Sequence, residues 1–294
     1  MPSALLNDYL ARLGRHASGD SKLWRDDDGR VQGQFFRCSL TSAFQPLRTL
    51  AGEVPAFDAQ AQSYAKQERG LSVWRLLNNA ASDEESIELD RLSRMLHVLN
   101  FFRQAGDSPP SLLIDVHERL LAAVSGNHGA VFRRIVDGLQ LPQERIVLQL
   151  PQASARYQWA IGFVVDNYRR NGFRVATRAA NADDAQRQLA QLRPDVIRID
   201  AHAAGSPERV ATLLDQAESL GVPLLFARVD AQEDLQKLQA VAALSRSGAG
   251  DRLWLQGALA GAPSPTLDIP PAAAAHTDLK GKKPLAAQRH QYAA

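Results

Sequence analysis

The sequence predicts an α/β fold: a modified TIM-like (β/α) barrel whose first two strands run antiparallel. Three observations carry this. Strand-like apolar runs alternate with helix-like segments along most of the chain, the rhythm of a parallel barrel or a doubly wound sheet. The first two runs are separated only by Ala51-Gly52-Glu53, too short for a parallel crossover. The 294 residues hold one barrel of ~250 residues with tails left over.

The elements follow in order. Leu5, Leu6, Tyr9, Leu10 and Leu13 recur at helical spacing, so residues 3–14 predict a short amphipathic helix that caps the barrel or meets a partner. Residues 17–33 are polar and glycine-bearing, a loop or short hairpin. LTSAFQPL and EVPAFDA form the antiparallel pair. Residues 63–86 are polar and end in SDEES, where Ser82 or Asp83 is a suitable helix N-cap. The helix 86–105 carries Ile87, Leu89, Leu92, Met95, Leu96, Leu99 and Phe102 on one broad apolar face. Then come SLLIDV, helix 127–140, RIVLQL, helix 154–171 stopped at Asn171-Gly172, FRVATR, helix 182–192, VIRID, helix 207–220, VPLLFARV, helix 231–245 and RLWLQG. The predicted organisation is an extension over 1–39, a barrel over 40–265 and a disordered tail over 266–294, where Pro, Ala, Lys and His show no periodicity.

Composition narrows the function classes. Hydrophobic residues make up 45% and charged residues 22%, as in ordinary globular domains. The net charge of +2 supplies no field for nucleic acid. No stretch approaches ~20 apolar residues, so no membrane span is expected, and the N-terminus lacks a signal-peptide core. Cys38 is the sole cysteine, and no Cys/His cluster has zinc-site spacing. A reduced, cytoplasmic setting follows as the expectation.

In a parallel barrel the chemistry sits at the C-terminal strand ends. The side chains expected there are Asp58, Asp115, Gln149, Arg178, Arg198, Arg228 and Gln256. Two acids among three arginines make a poor cradle for divalent metals.

Nine segments in order resemble the EAL domain, the bacterial cyclic-di-GMP phosphodiesterase family. SAFQPL resembles its opening FQPI, and AFDAQAQ its segment like YEALLR. ELDRLSRMLHVLN resembles its first long helix and LLIDVHERLL the strand usually ending in asparagine. RIVLQLP is similar to LVLEIT, FRVATRAANADD to IALDDFGTG, and QLRPDVIRID to LxPDxLKID. GVPLLFARVDAQEDLQKL is similar to VIAEGVET with its helix, and LWLQGALAGAP to LQGYLFGRP. The resemblance covers residues 40–263.

The resemblance implies hydrolysis of cyclic-di-GMP by two metal ions held by carboxylates and an asparagine, with a lysine assisting. This chain departs from that set. Asp58 replaces the motif glutamate, Asp115 the asparagine and Gln149 a glutamate. Arg178 and Ala179 replace paired aspartates, Arg198 replaces the lysine, and Ala227 replaces a glutamate. Gln45 and Gln256 are kept. At an effective dielectric of ~20, a charge pair at ~4 Å is worth ~4 kcal/mol, so a guanidinium at a bridging position opposes two dications. The expectation is therefore a non-enzymatic regulator with no cofactor or metal, acting through an unidentified protein partner. A homodimer is an option the family offers.

Two alternatives stay open: a metal-independent cyclic-di-GMP receptor and a residual phosphodiesterase. For a receptor, Gln45, Arg178, Arg198 and Arg228 would meet the nucleotide. Against it, Gln62 stands where the family has a phosphate-contacting arginine, and Asn181-Ala182-Asp183 replaces a glycine-bearing loop. The arginines could instead pair with Asp58 and Asp115 as an internal plug, or take another phosphorylated ligand.

Overall fold

The computed structural model describes residues 8–9, 22–35, 38–65, 68–72, 82–106, 108–118, 128–152, 158–246 and 251–269. Eleven strands form one sheet among these residues. They are β1 (Lys22–Arg25), β2 (Val31–Phe35), β3 (Cys38–Thr49), β4 (Ala56–Ala65), β5 (Glu68–Ser72), β6 (Ser111–Asp115), β7 (Ile146–Gln149), β8 (Arg174–Ala179), β9 (Val196–Asp200), β10 (Leu224–Ala227) and β11 (Leu253–Leu255). The helices are α1 (Asp83–Phe102), α2 (His128–Gly138), α3 (Ile161–Arg170), α4 (Ala182–Gln191), α5 (Pro207–Ser219) and α6 (Gln232–Leu244).

β3, β4 and β6 to β11 close into an eight-stranded barrel. β3 is antiparallel to both neighbours, β4 and β11. The other neighbouring pairs are parallel. The mixed closure follows from the short Ala51–Glu53 connection, because a tight turn can only return the chain antiparallel.

Lumen and outer surface alternate along each strand, as the two-residue period of a strand requires. Leu47, Ala56, Leu113, Val147, Ala176, Val196, Leu225 and Trp254 pack together as a layer inside the barrel. Outward residues pack under the helices. Phe44 and Phe57 meet Phe101 of α1 edge to face, at centroid distances of 5.4 and 5.9 Å.

The ends of α1 show how local chemistry sets an element. Ser82 caps it with a reciprocal box, accepting from Glu85 N while Glu85 accepts from Ser82 N. The helix starts at Asp83 and stops at Phe102, three residues earlier at each end than the apolar pattern indicates. Gly172 follows α3 with φ +83°, the left-handed stop read from Asn171-Gly172.

Three features go beyond or depart from the sequence reading. Residues 22–35 form a hairpin, one of the two options read there, but β2 also pairs with β3, so this segment continues the barrel sheet. β5 lies within the stretch read only as polar and adds to β4. Asp58 is not at a strand end: it is the third residue of a ten-residue strand. β3 and β4 run on past the barrel rim because β2 and β5 extend their pairing.

Of the helix predicted over residues 3–14, only residues 8–9 are described, and Tyr9 packs against the core cluster that contains the apolar face of α1. Of the tail, residues 270–294 lie outside them as well. Residues 265–267 are tied to the turn after α1: Gln104 donates to Pro265 O at 3.1 Å and accepts from Leu267 N at 3.2 Å. No described helix is long and apolar enough to cross a membrane.

Candidate functional site

Each candidate residue except Arg228 stands two positions from a residue of the lumen layer. Asp58 follows Ala56, Asp115 follows Leu113, and Gln149 follows Val147. Arg178 follows Ala176, Arg198 follows Val196, Ala227 follows Leu225, and Gln256 follows Trp254. Gln45 precedes Leu47 on the reversed strand. The period of two therefore stacks all eight on the same face, one layer nearer the mouth.

The polar members form a connected set. Gln256 Nε2 donates to Asp58 Oδ2 at 2.8 Å and to Gln45 Oε1 at 2.9 Å. Gln60 Nε2 adds a bond to Gln45 Oε1 at 3.2 Å. Gln45 Nε2 reaches Gly261 O at 3.0 Å, tying the mouth to the segment after β11. On the other side Arg178 Nη2 bonds Asp115 Oδ1 at 2.6 Å, and Gln149 Nε2 bonds the same oxygen. Arg198 Nη1 lies 3.7 Å from Asp58 Oδ1 and 3.5 Å from Gln149 Oε1, joining the halves.

Burial shapes the charges. Asp58, Gln149 and Gln256 are buried. Burial pushes the Asp58 carboxyl above the usual carboxylate range, with Arg198 opposing and Asp115 adding to the rise. Burial works against the Arg178 charge, but Asp115 and Asp58 outweigh it and hold the guanidinium above its ordinary value.

Arg228 is set apart from this group. It follows β10, its side chain is 61% exposed, and it pairs with Asp200 Oδ2. Its backbone has φ +63°. Among the described residues two other non-glycine residues share that sign, but Gln140 and Arg193 follow helix ends, where the left-handed conformation is ordinary. Ala227 contributes no polar group. Among the described residues, no three His, Cys, Asp or Glu side chains gather as a metal-holding group.

Sequence reasoning did not single out Gln60, although it lies two residues beyond Asp58 on the same strand. Nor did it pair Asp200 with Arg228. Their strands are neighbours, with Ala227 opposite Asp200, but no motif marks the pair.

A barrel with one reversed strand, bearing acids, amides and guanidinia at its mouth, defines a TIM-like α/β fold. The chain belongs to the EAL domain family, whose sequence profile matches residues 29–248. No curated protein matches the sequence.

Solved structures with similar folds include three bound to c-di-GMP. The Bacillus subtilis YkuI protein, with an EAL domain and also in complex with calcium, is 20% identical with a TM-score of 0.61. That match covers 78% of this chain and 56% of that one, little more than half of YkuI's length. The Xanthomonas citri FimX EAL domain is 16% identical, with a TM-score of 0.62, covering 78% and 90%. The Pseudomonas aeruginosa FimX EAL domain is 15% identical, with a TM-score of 0.62, covering 90% and 97%. At these identities the likeness establishes the fold.

Proposed function

We propose that this chain is a non-catalytic EAL-domain regulator in cyclic-di-GMP signalling, acting in the cytoplasm by contact with a protein partner. In this reading metal-dependent phosphodiesterase chemistry has been lost. The observation that carries it is the engagement of both mouth carboxylates by cations: Asp115 by Arg178 at 2.6 Å and Asp58 by Arg198 at 3.7 Å.

A pair of divalent ions needs several hard oxygen ligands converging on open positions. Here the carboxylates face guanidinium and amide N–H groups, and the guanidinia supply the positive charge that metals would bring. Such a donor set does not fit two dications. The test is turnover of cyclic-di-GMP by pure protein in Mg²⁺ and in Mn²⁺. No hydrolysis is expected; metal-dependent hydrolysis lost on Asp58→Ala would overturn the reading.

A second reading, the metal-independent receptor, is favoured by Arg228. Its ion pair is exposed, and such pairs are weak enough for a phosphate to displace. Calorimetry with cyclic-di-GMP in EDTA and in Mg²⁺ separates the two. Micromolar binding in EDTA, lost on Arg228→Ala, favours the receptor; no heat in either buffer favours the protein-binding regulator.

A further inference from the structure

Single exposed apolar side chains are ordinary, but two aromatic ones lie together at the start of α3. Trp159 is 72% exposed, the most among the large apolar side chains of the described residues, and Phe163 is 52% exposed. Trp159 belongs to the 3₁₀ turn Gln158–Ala160 that runs into the helix. Positions 159, 163, 166 and 170 are spaced by four, three and four, which places them in one stripe. Trp159, Phe163, Asp166 and Arg170 are all exposed. The opposite side is anchored by Ala160, Val165 and Tyr168, which are buried. Turning the aromatics inward would expel these three, so the stripe stands on a fixed support. A preordered surface pays less to bind.

Positive charge gathers at the far end of the stripe. Arg169 Nη1 donates to Leu192 O at 2.8 Å and Nη2 to Arg193 O, which brings Arg193 beside the end of α3. Among the described residues, Arg169, Arg170 and Arg193 have no carboxylate in ion-pair contact, not even Asp166 one turn from Arg170. Alongside, α3 and α4 leave a cavity of about 410 Å³, with Ile161 and Gly162 on one side and Arg187 and Gln191 on the other. Arg187 pairs with Asp184 at 3.1 Å, an exposed pair of the weak kind. Four guanidinia thus face two carboxylates, Asp166 and Asp184.

Aromatic side chains and arginine are the groups enriched where proteins meet, and tryptophan and arginine supply most hot spots. The guanidinium excess selects a partner bearing carboxylates. An anionic membrane surface fits less well. Asp166 sits inside the stripe and repels it, and a flat bilayer leaves the cavity beside α3 unfilled.

We propose that the outer face of α3, with the cavity beside it, docks an acidic amphipathic segment of a protein partner. Aliphatic side chains of that segment cover Trp159 and Phe163, and its carboxylates meet Arg169, Arg170 and Arg193. The stripe is about 16 Å long at ~1.5 Å per residue, three turns of a partner helix laid along it. This surface rests on the reading of the chain as a protein-binding regulator.

The probe is a phage-displayed library of random peptides of about 12 residues, long enough to cover that span, panned on the full chain. The enriched peptides are then titrated by fluorescence anisotropy. They are expected to be acidic and to carry aliphatic residues. Trp159→Ser/Phe163→Ser should weaken them about tenfold or more, with an unchanged Tm because neither side chain is buried. Arg170→Glu should weaken them too, and peptides with lysine in place of their acids should bind Arg170→Glu more tightly than the wild type. No enrichment, enriched peptides without acids, affinity unchanged in the double variant, or no charge-swap rescue would each overturn the proposal. So would vesicles of phosphatidylglycerol and phosphatidylcholine that retain the wild type but not the double variant. The regulator reading fails separately: hydrolysis of cyclic-di-GMP by the wild type would end it while leaving peptide binding at α3 in place.

Discussion

Arg178 on β8 and Asp115 on β6 meet across 2.6 Å although β7 lies between them, and Gln149 of β7 bonds the same carboxylate oxygen. Their side chains are 32% and 21% exposed, between a surface pair and a buried one. Exposed pairs are worth about 0–1 kcal/mol, and breaking a buried one costs about 3–5 kcal/mol. Arg178→Ala is therefore expected to destabilise by about 1–3 kcal/mol in urea unfolding, between those limits. Adding Asp115→Ala should recover part of that loss, since no carboxylate is then left unpaired. Losses that simply add would show that the pair is not coupled.

The barrel was legible because its signals are long and redundant. Seven parallel strands, the reversed β3 and the six helices follow from alternation, caps and one short turn. The mouth residues were legible too, since the two-residue period carries each lumen residue to the next. Three things were not. β5 reads as ERGLS, whose charges and glycine mask a strand that depends on pairing with β4. The extension of β3 and β4 past the rim also rests on partners distant in sequence. A plug of arginines on Asp58 and Asp115 was an alternative the sequence left open, but which arginine takes which acid depends on side-chain reach, on which a strand pattern is silent.

Arg228 shows what the sequence leaves hidden: a bulky residue with φ +63° directly after a strand. The turn serves Val229, which is fully buried and donates to Gln256 O at 2.9 Å. Gly257 packs so closely there that an added Cβ would fall 2.3 Å from Val229 O. The left-handed conformation costs an L-residue roughly 1–2 kcal/mol, and glycine escapes that at some entropic cost. Comparing Arg228→Gly with Arg228→Ala cancels the Asp200 ion pair, because both lose it. The glycine variant should be more stable than the alanine variant by about 1 kcal/mol in urea unfolding. Equal stabilities would mean that the strain is relieved elsewhere.

His97 gives a pH dependence with a definite sign. It is buried on α1, its Nδ1 2.9 Å from Ser42 Oγ of β3, and burial lowers its pKa from 6.5 to about 4. The unfolded chain takes up this proton more readily than the folded one. The contribution to stability is thus present above pH 6.5 and is lost as pH falls towards 4. A shift of that size corresponds to at most about 3 kcal/mol. Asp58 works in the opposite sense: its raised pKa gives stability that is lost as pH rises through the folded-state value. The difference between wild type and His97→Asn isolates the histidine. Their stability gap, measured by urea unfolding from pH 7 to pH 4, should narrow as pH falls; a gap independent of pH would show that His97 is not held neutral.

The ion pair between Asp90 and Arg94 of α1 tests what buried charge contributes away from the mouth. Arg94 Nε lies 2.6 Å from Asp90 Oδ2, and both side chains are about 5% exposed. Asp90 Oδ1 accepts from His117 N at 3.1 Å, fastening the chain just beyond Asp115 to the helix. Arg94 reaches the Tyr168 hydroxyl of α3 at 3.4 Å and lies over the rings of Phe132 and Tyr168, at 6.0 and 5.9 Å from their centroids. One pair thus joins α1, α2, α3 and the exit from β6. Asp90→Leu alone leaves a buried guanidinium uncompensated and should cost about 3–5 kcal/mol. The double variant Asp90→Leu/Arg94→Met removes both charges while keeping apolar volume, and should recover most of that loss. It should nonetheless loosen the segment after Asp115, because the bond to His117 N is gone. Amide exchange at residues 116–118 reads this directly. Faster exchange with near-native stability would assign the pair to positioning the mouth; native exchange in the double variant would assign it to packing alone.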